Sequence, residues 1–246
     1  MLERDVADGI HRIEDAHTNW YVVEDGQSLT IVDTGLPGSW RSLHEALAAL
    51  GRAPGQIEAV LLTHGHFDHM GFARRAQQEL GLEVWAHERE RAVVSHPWRY
   101  EHERSRIPHL RHPRFLRIFT EMTVKGALWV KGIESLRTYR EQERLDAPGR
   151  PRVVFTPGHT HGHCSLLFEE RGAVIVGDAF VMSDPYTGRA GPRLVARAAT
   201  ADTAQAIESL DRLGELEATV ALTGHGPPWK GSLREAAERA RVAGAA

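Results

Sequence analysis

The sequence predicts an α/β layered fold in which the ends of several strands carry metal-binding side chains. Short apolar runs of strand length alternate with amphipathic stretches of helical period, and this order favours helices packed on sheets. Four of the apolar runs lead directly into a glycine-containing turn that bears histidine or aspartate. These turns are His64–His69, Pro157–His159, Gly177–Asp178 and Gly224–His225. If the strands lie side by side, the turns meet at one sheet edge, where active sites commonly form.

Length and composition indicate a soluble globular protein with a sizeable core, since 41% of the 246 residues are hydrophobic. The formal charge of −3 gives no general attraction to nucleic acid or to an anionic membrane, so neither is expected as a partner. The single cysteine, Cys164, excludes an intrachain disulfide, and no run approaches the roughly 20 apolar residues of a membrane span. The N-terminus does not resemble a signal peptide. We therefore expect a cytoplasmic protein that acts on a small molecule.

The first fifty residues predict three strands followed by a helix. The strands cover residues 10–14, 19–23 and 28–33, and the second and third are joined by a hairpin turn of the Asp-Gly type. The helix places Leu43, Leu47 and Leu50 on one face. Ser39 is its expected N-cap, and Gly51 is expected to close it.

A strand at residues 58–62 leads into the densest polar run of the chain, which places three imidazoles and a carboxylate within six residues, His64–His69. Burying so many polar groups is costly unless each finds a partner, and a divalent metal suits both imidazole and carboxylate. A loop of solvated histidines is the alternative. A helix at 70–80 and a strand at 82–86 follow, so Asp68 could instead serve only as a structural helix cap.

Residues 95–136 interrupt this order and predict a mostly helical insert broken by prolines. Six arginines and four histidines precede Phe119, against two glutamates. One interpretation is a solvated basic face, which could equally be the surface of a homodimer. The other is a lid in which arginine attracts an anionic group and aromatic residues shape a substrate pocket. The candidate aromatic residues are Trp98, Tyr100, Phe115, Phe119 and Trp129.

Strands resume near Arg137 and are clear at residues 152–156, 165–168, 173–176 and 219–222. A helix at 200–213, with Ala206, Leu210 and Leu213 as core residues, separates the last two strands, and a closing helix begins near Leu233. No internal repeat and no low-complexity linker divides the chain. We therefore expect a single domain over residues 1–246 with the insert inside it.

The motifs together resemble those of the metallo-β-lactamase-fold superfamily, specifically its glyoxalase II and lactonase-like branch. The likeness extends from Ile10 to Pro228. It rests on Asp33-Thr34-Gly35, the H-x-H-x-D-H run His64–His69, Pro157-Gly158-His159-Thr160, Gly177-Asp178 and Gly224-His225-Gly226. The resemblance implies a four-layer αββα sandwich with two internally similar halves and a dinuclear metal site at one edge.

The same resemblance implies a role for each ligand. His64, His66 and His159 would hold one metal ion. The second ion would be held by Asp68, His69 and His225, while Asp178 bridges the two ions with a water or hydroxide. Zinc is the first expectation, with iron or manganese as alternatives. Two such ions about 3.5–4 Å apart lower the pKa of a bridging water toward 7 and polarise a carbonyl, and Asp68 could then pass a proton to the leaving group.

Several residues near the ligand turns are candidates for supporting the ligands or contacting the substrate. Asp33 is either a partner that orients a ligand histidine or a plain turn residue. His163 is a candidate supporting residue rather than a ligand. Tyr186 could hydrogen-bond a substrate carbonyl, although a structural role is favoured. Three other residues are given no part in the chemistry: a surface His161, a packed or capping His87 and a small buried Cys164.

The function that follows is a metal-dependent hydrolase that uses a metal-bridging hydroxide on a thioester, lactone or ester, of lactonase or thioesterase type. Only 21 residues follow His225, so we do not expect the glutathione-binding domain of glyoxalase II, and a glutathione thioester is a less favoured but still open substrate. The resemblance places Asp178 at a position where zinc β-lactamases lack a carboxylate. We therefore expect β-lactam hydrolysis to be at most a side activity. Three alternatives remain, namely a mononuclear iron oxygenase of the persulfide-dioxygenase kind, a phosphodiesterase-type hydrolase and a non-catalytic metal-binding protein.

Overall fold

The computed structural model describes residues 1–246 and contains two large sheets. The first sheet has seven strands that lie in chain order. The first four strands pair antiparallel and the last four pair parallel, so β4 belongs to both sets. They are β1 Leu2–Ala7, β2 Ile10–Asp15, β3 Thr18–Asp25, β4 Ser28–Val32, β5 Ile57–Leu61, β6 Val84–His87 and β7 Arg137–Tyr139.

The second sheet has five strands in the order β14-β13-β10-β9-β8, and a two-stranded ribbon, β11 with β12, lies apart from it. In this sheet β10 and β13 run parallel, whereas the other pairs are antiparallel. The strands are β8 Arg152–Phe155, β9 Cys164–Phe168, β10 Ala173–Gly177, β11 Val181–Ser183, β12 Ala190–Arg193, β13 Val220–Thr223 and β14 Trp229–Lys230.

Six α-helices accompany the sheets, and none is long and apolar enough to span a bilayer. They are α1 Ser39–Leu50, α2 Ala73–Leu80, α3 Arg91–Ser95, α4 Pro113–Val124, α5 Thr203–Gly214 and α6 Leu233–Ala243. Short 3₁₀ turns occur at Pro54–Gln56, Glu88–Glu90, Ile107–Arg111, Ala127–Trp129 and Glu169–Arg171.

Three apolar cores divide the molecule into four layers, as the αββα expectation requires. Because side chains alternate across a strand, Tyr21 of β3 lies in the core between the sheets with Leu166 of β9, while Trp20 faces α1. The outer core of the second sheet joins Val174 of β10 to Leu210 of α5. Each sheet is therefore covered by helices on one face and by the other sheet on the opposite face.

Most predicted elements are present, with shifts of one to three residues at their ends. Four short strands were missed, namely β1, β11, β12 and β14. The first of these is mostly exposed and charged in its N-terminal half, so it lacks the apolar alternation that reveals a strand. At α1, Gly51 adopts the expected left-handed C-cap, with φ 70°, but Ser39 is not the N-cap. Its hydroxyl accepts a hydrogen bond from the amide of Leu36 at 3.2 Å.

Helix α2 begins at Ala73, later than the predicted residue 70. The reason is that the preceding backbone is bonded to the turn after β4. Gly71 donates its amide to the carbonyl of Gly35 at 2.7 Å, and the amide of Thr34 donates to the carbonyl of His69 at 2.7 Å. The alternative role of Asp68 as a helix cap is therefore wrong, because Asp68 lies five residues before α2.

Within residues 95–136 the structure contains the 12-residue helix α4 with a 3₁₀ turn before it and another after it. A 3₁₀ turn contains Pro108, and α4 begins at Pro113, so both prolines lie where helical segments start. Helix α4 buries Phe115, Ile118 and Met122, and the last two join the core on the outer face of the first sheet.

Candidate metal centre

The histidine and aspartate turns lie at the C-terminal ends of β5, β8, β10 and β13. Strand β5 leads into His64–His69, and β8 leads into the turn that carries His159. Strands β10 and β13 are parallel, so Asp178 and His225 emerge side by side. The four turns converge at one edge of the two sheets, and seven buried side chains meet there, namely His64, His66, Asp68, His69, His159, Asp178 and His225.

Three of these side chains form a histidine cluster of His64, His66 and His159, in which one nitrogen from each ring lies within 4.8 Å of the others. The Nε2 atom of His159 is 2.9 Å from the Nδ1 atom of His66. The Nδ1 atom of His64 is 3.0 Å from the hydroxyl of Thr63, which leaves its Nε2 atom buried without a partner. Burial and the neighbouring imidazoles hold the pKa of His64 well below its usual value, so the ring is neutral and able to bind a metal.

A second cluster contains Asp68, His69 and His225. The carboxylate Oδ2 of Asp68 is 3.5 Å from Nε2 of His225 and 3.9 Å from Nε2 of His69. The opposite nitrogen of each ring is fixed, since His69 Nδ1 is 3.0 Å from Asp33 Oδ2 and His225 Nδ1 is 2.7 Å from the carbonyl of His17. Both imidazoles are thereby oriented with Nε2 toward the carboxylates.

Asp178 lies between the two clusters. Its Oδ2 atom is 3.3 Å from Nε2 of His225 and 3.5 Å from Nε2 of His159, and its Oδ1 atom is 3.7 Å from Nε2 of His69. Burial by itself would raise the pKa of Asp178, but His225 and His69 hold that pKa well below the usual value. A charged carboxylate therefore contacts both groups of imidazoles.

The electrostatics of the second cluster favour a cation. Burial lowers the pKa of His69, but Asp178 and Asp68 outweigh that effect and raise the pKa to about 10. The same carboxylates raise the pKa of His225 against the effect of burial. Carboxylates that attract a proton in this way also attract a divalent ion.

The donor set fits divalent metal ions. Nε2 of His64, Nε2 of His69 and Oδ1 of Asp178 are buried with no hydrogen-bond partner, which is rare for polar atoms inside proteins. Imidazole nitrogen with carboxylate oxygen is a ligand combination that zinc and similar divalent metals take readily. The residues can therefore hold such ions.

Asp33 and His163 support the centre from outside. Asp33 accepts hydrogen bonds from the amide of Thr63 at 2.8 Å and from its hydroxyl at 2.9 Å, in addition to its contact with His69. Nε2 of His163 accepts a hydrogen bond from the amide of Asp178 at 3.0 Å. Both residues thus fix the position of a side chain or backbone segment that belongs to the centre, and neither points an unpaired atom into it.

Glu90 is a supporting residue that sequence reasoning missed. Its carboxylate is fully buried and accepts hydrogen bonds from the amide of Gly65 at 2.7 Å, the amide of Gly162 at 2.9 Å and the hydroxyl of Thr160 at 2.7 Å. Glu90 therefore joins the loop after β5 to the loop after β8. Its sequence context, Glu88-Arg89-Glu90-Arg91, is typical of a solvated surface and gave no signal of this role.

Sequence analysis predicts no role in the chemistry for His161, His87 and Cys164, and each of them makes its contacts outside the metal centre. His161 is exposed and pairs with Glu101, and Nδ1 of His87 accepts a hydrogen bond from the amide of Arg89 at the start of a 3₁₀ turn. Cys164 is buried in the core between the sheets.

An aromatic pocket of about 580 Å³, part of it open to solvent, leads to the centre. Residues of the insert form much of its wall, including the aromatic candidates Trp98, Tyr100, Phe115 and Phe119. The fifth candidate, Trp129, is outside the pocket and is 66% exposed to solvent. Tyr186 lines the same pocket and stacks on Phe115 with ring centroids 5.3 Å apart. The pocket is lined by His66, Phe67, Asp68, Trp98, Tyr100, Arg106, Phe115, Ile118, Phe119, Met122, His159, Asp178, Pro185, Tyr186, Val195, Ala199 and His225.

Two curated proteins and one solved structure resemble this chain over most of its length. The chain is 27% identical to the probable metallo-hydrolase YflN of Bacillus subtilis, covering 92% of this chain and 87% of that protein. It is 30% identical to a hydroxyacylglutathione hydrolase of Gloeobacter violaceus over 69% of this chain and 52% of that protein. A metallo-beta-lactamase family protein of Thermus thermophilus superimposes with a TM-score of 0.70 and 27% identity, covering 96% of this chain and 79% of that one.

The family model of the metallo-beta-lactamase superfamily matches residues 13–225, which include every histidine and aspartate of the centre. The fold, with its paired sheets covered by helices, is that of the same group. This chain belongs to the metallo-beta-lactamase superfamily.

Proposed function

We propose that this protein is a hydrolase that uses two divalent metal ions, first of all zinc, to cleave a carboxylic ester-type bond in a small molecule. The observation that carries the proposal is the position of Asp178 between the cluster of His64, His66 and His159 and the cluster that contains His69 and His225. Two separate groups of ligands with a shared carboxylate favour two ions over one.

When bound, two divalent ions would acidify a water molecule and polarise a carbonyl oxygen. The residues of this chain have distinct tasks around that chemistry. Asp33 and the carbonyl of His17 hold the rings of His69 and His225 in one orientation. Asp68, which lines the pocket, offers a carboxylate that can pass a proton to the departing oxygen or sulfur atom.

The substrate class is inferred from the pocket and from one relative. The wall is mostly aromatic and aliphatic, which suits an acyl or leaving group with an apolar body. The Gloeobacter relative is named for the hydrolysis of an acyl derivative of glutathione, which supports acyl transfer to water as the reaction. Thioesters, lactones and simple esters are therefore the substrates to be tested first.

The test combines metal counting with a substrate panel. The protein is purified without added metal and loaded separately with zinc, manganese or iron(II). Metal content is measured by mass spectrometry, and turnover is measured on thioesters, lactones, aryl esters, phosphodiesters and β-lactams. Asp178→Ala and Asp68→Ala are compared with His161→Ala, which alters an exposed histidine whose side chain is 48% accessible.

We expect two ions per chain and hydrolysis of at least one ester-type substrate by the wild type and by His161→Ala. Asp178→Ala and Asp68→Ala should lower kcat/KM by roughly 100-fold or more, because each removes a group that contacts the reacting atoms. Full turnover by either aspartate variant would contradict the proposal. A single iron with oxygen uptake would instead support the oxygenase alternative, and preferred cleavage of phosphodiesters would support the phosphodiesterase alternative.

A further inference from the structure

One cationic side chain of the insert, Arg106, faces the aromatic pocket. Its Nε atom donates a hydrogen bond to the carbonyl of Ala198 at 3.3 Å, which fixes the direction of the side chain. The central carbon of the guanidinium lies 4.4 Å from the centroid of the Tyr100 ring. These two contacts hold the planar end of Arg106 at the pocket wall and leave its two terminal nitrogens without a protein partner.

The nearby carboxylates are already engaged by other groups. Glu101 pairs with His161 at 3.1 Å, and Glu103 accepts hydrogen bonds from the amide and hydroxyl of Thr203. The pocket carboxylates, Asp68 and Asp178, contact the histidines of the metal centre. Arg106 is consequently a half-buried cation whose terminal nitrogens can bind an anion of a ligand.

The position of Arg106 relative to the metal centre is set by one aromatic ring. Tyr100 contacts both the guanidinium and the imidazole of His66, with a centroid distance of 3.9 Å from Tyr100 to His66. The rings of Phe115, Phe119 and Tyr186 continue the apolar wall. The pocket thus has a metal-binding end, an apolar middle and a cationic group one ring away from the metal-binding end.

We propose that Arg106 determines substrate specificity by binding a carboxylate of the substrate, so that the preferred substrates are esters or thioesters with an apolar body and an anionic group a few bonds from the scissile carbonyl. This inference rests on the proposed hydrolase function and deepens it. A guanidinium with two free terminal nitrogens matches a carboxylate in a fork geometry, and such charge-assisted pairs are strong where water is partly excluded.

The kinetic test uses pairs of esters that differ in one charge. For an anion on the leaving group, 4-acetoxybenzoate is compared with 4-methylphenyl acetate. For an anion on the acyl group, monophenyl glutarate is compared with phenyl hexanoate. The quantity measured is the ratio of kcat/KM for the anionic ester to that for the neutral ester, so differences in intrinsic reactivity cancel between protein variants.

In the wild type this ratio should exceed that of Arg106→Gln by about 10- to 100-fold for one of the two pairs, as the loss of a charged hydrogen bond predicts. The pair that responds shows which side of the scissile bond carries the anion. Arg106→Lys should recover part of the ratio. The control is Arg104→Gln, which removes an exposed arginine outside the pocket and should keep the wild-type ratio.

A binding measurement separates this inference from the proposed function. Isothermal titration of the metal-loaded protein with 4-hydroxybenzoate and 5-oxohexanoate, and with 4-methylphenol as a neutral reference, requires no hydrolysis. Binding of either anion that weakens about tenfold or more in Arg106→Gln but not in Arg104→Gln would support the inference even if no ester were cleaved. Equal ratios and equal anion affinities in wild type and Arg106→Gln would overturn it, while hydrolysis of the neutral esters would leave the proposed function intact.

Discussion

At the scale of single residues, the centre depends on side chains that fix the ligands from outside. Asp33 connects His69 to the end of the neighbouring strand through Thr63, and it does so from a left-handed backbone conformation with φ 57°. Glu90 connects the two loops that carry histidines of the first cluster. Both carboxylates are almost fully buried, so the cost of removing either includes the unpaired donors left behind.

Substitution of Glu90 tests this directly. Glu90→Ala should lower the free energy of unfolding by about 2 to 5 kcal/mol, because the amides of Gly65 and Gly162 would remain buried without an acceptor. The measurement is urea denaturation of the metal-free protein followed by circular dichroism. Glu88→Ala, at an exposed position in the same turn, is the control and should stay within about 0.5 kcal/mol of the wild type. Equal stability of the two variants would show that Glu90 does not hold the loops together.

Asp33→Asn tests the orientation of His69. Asparagine tolerates the left-handed conformation of residue 33, but it carries no charge and one fewer acceptor. Metal affinity should fall about 10- to 100-fold, the usual effect of losing the partner of a ligand histidine. Competition with a chromophoric chelator measures that affinity. Asp5→Asn has the same type of change at an exposed residue with φ 50° and should bind metal as the wild type does. Unchanged affinity in Asp33→Asn would assign Asp33 to the turn alone.

At the scale of elements, the loops of the centre are held by close approach to helices. The loop between β8 and β9 packs against the start of α5, where the amide of Asp202 donates to the carbonyl of Gly158 at 2.9 Å and the amide of Ala201 donates to that of His159 at 3.1 Å. A Cβ atom at Gly158 would lie 2.1 Å from the amide nitrogen of Ala206. Only glycine allows this approach, which sets the position of His159.

Gly158→Ala should therefore destabilise the protein by about 2 kcal/mol or more and displace His159. The contact is with the backbone of α5, which cannot yield as the end of a side chain can. The readouts are the denaturation midpoint and the number of metal ions retained after dialysis. Gly55→Ala is a matched control, because no atom lies within 4 Å of the Cβ that it adds. A Gly158→Ala protein with the stability and metal content of Gly55→Ala would refute the packing argument.

At the scale of the whole molecule, the centre joins the two halves of the sandwich. The loop after β5 belongs to the first sheet, and the loops that carry His159, Asp178 and His225 belong to the second. The halves also share the core between the sheets and the hydrogen bond from the Tyr21 hydroxyl to the carbonyl of Thr223. Ions bound at the centre would add a link between sheets that the unfolded chain cannot make.

Metal removal should consequently lower thermal stability. If each ion is present at about 1,000 times its dissociation constant, each contributes about 4 kcal/mol, so two ions contribute about 8 kcal/mol, which corresponds to a rise of roughly 20 °C in the unfolding midpoint of a chain of this size. Differential scanning calorimetry with and without a chelator measures this shift. Asp178→Asn should show a clearly smaller shift, and His161→Ala should show the wild-type one. A chelator effect of equal size in Asp178→Asn would argue against Asp178 as a shared ligand.

Sequence alone was sufficient to predict the layered α/β class, most of the helices and the positions of the histidine and aspartate turns. Apolar periodicity can be recognised within a short window of sequence. The same holds for a strand that ends in a turn containing glycine and histidine. The family followed from the combination of these turns and was confirmed by the match over residues 13–225. The edge strand β1 left no such signal, because charged side chains occupy its exposed positions.

The tertiary structure decided what depends on contacts between distant residues. It revealed the buried role of Glu90, 25 residues from Gly65 and 72 from Gly162, and it joined Asp33 to His69. It also placed four aromatic rings of the insert and Arg106 in the wall of the pocket. The physical reason is that burial and hydrogen-bond partnership arise only when separate segments pack together, so a glutamate in a charged run can become an internal support without any mark in its own sequence.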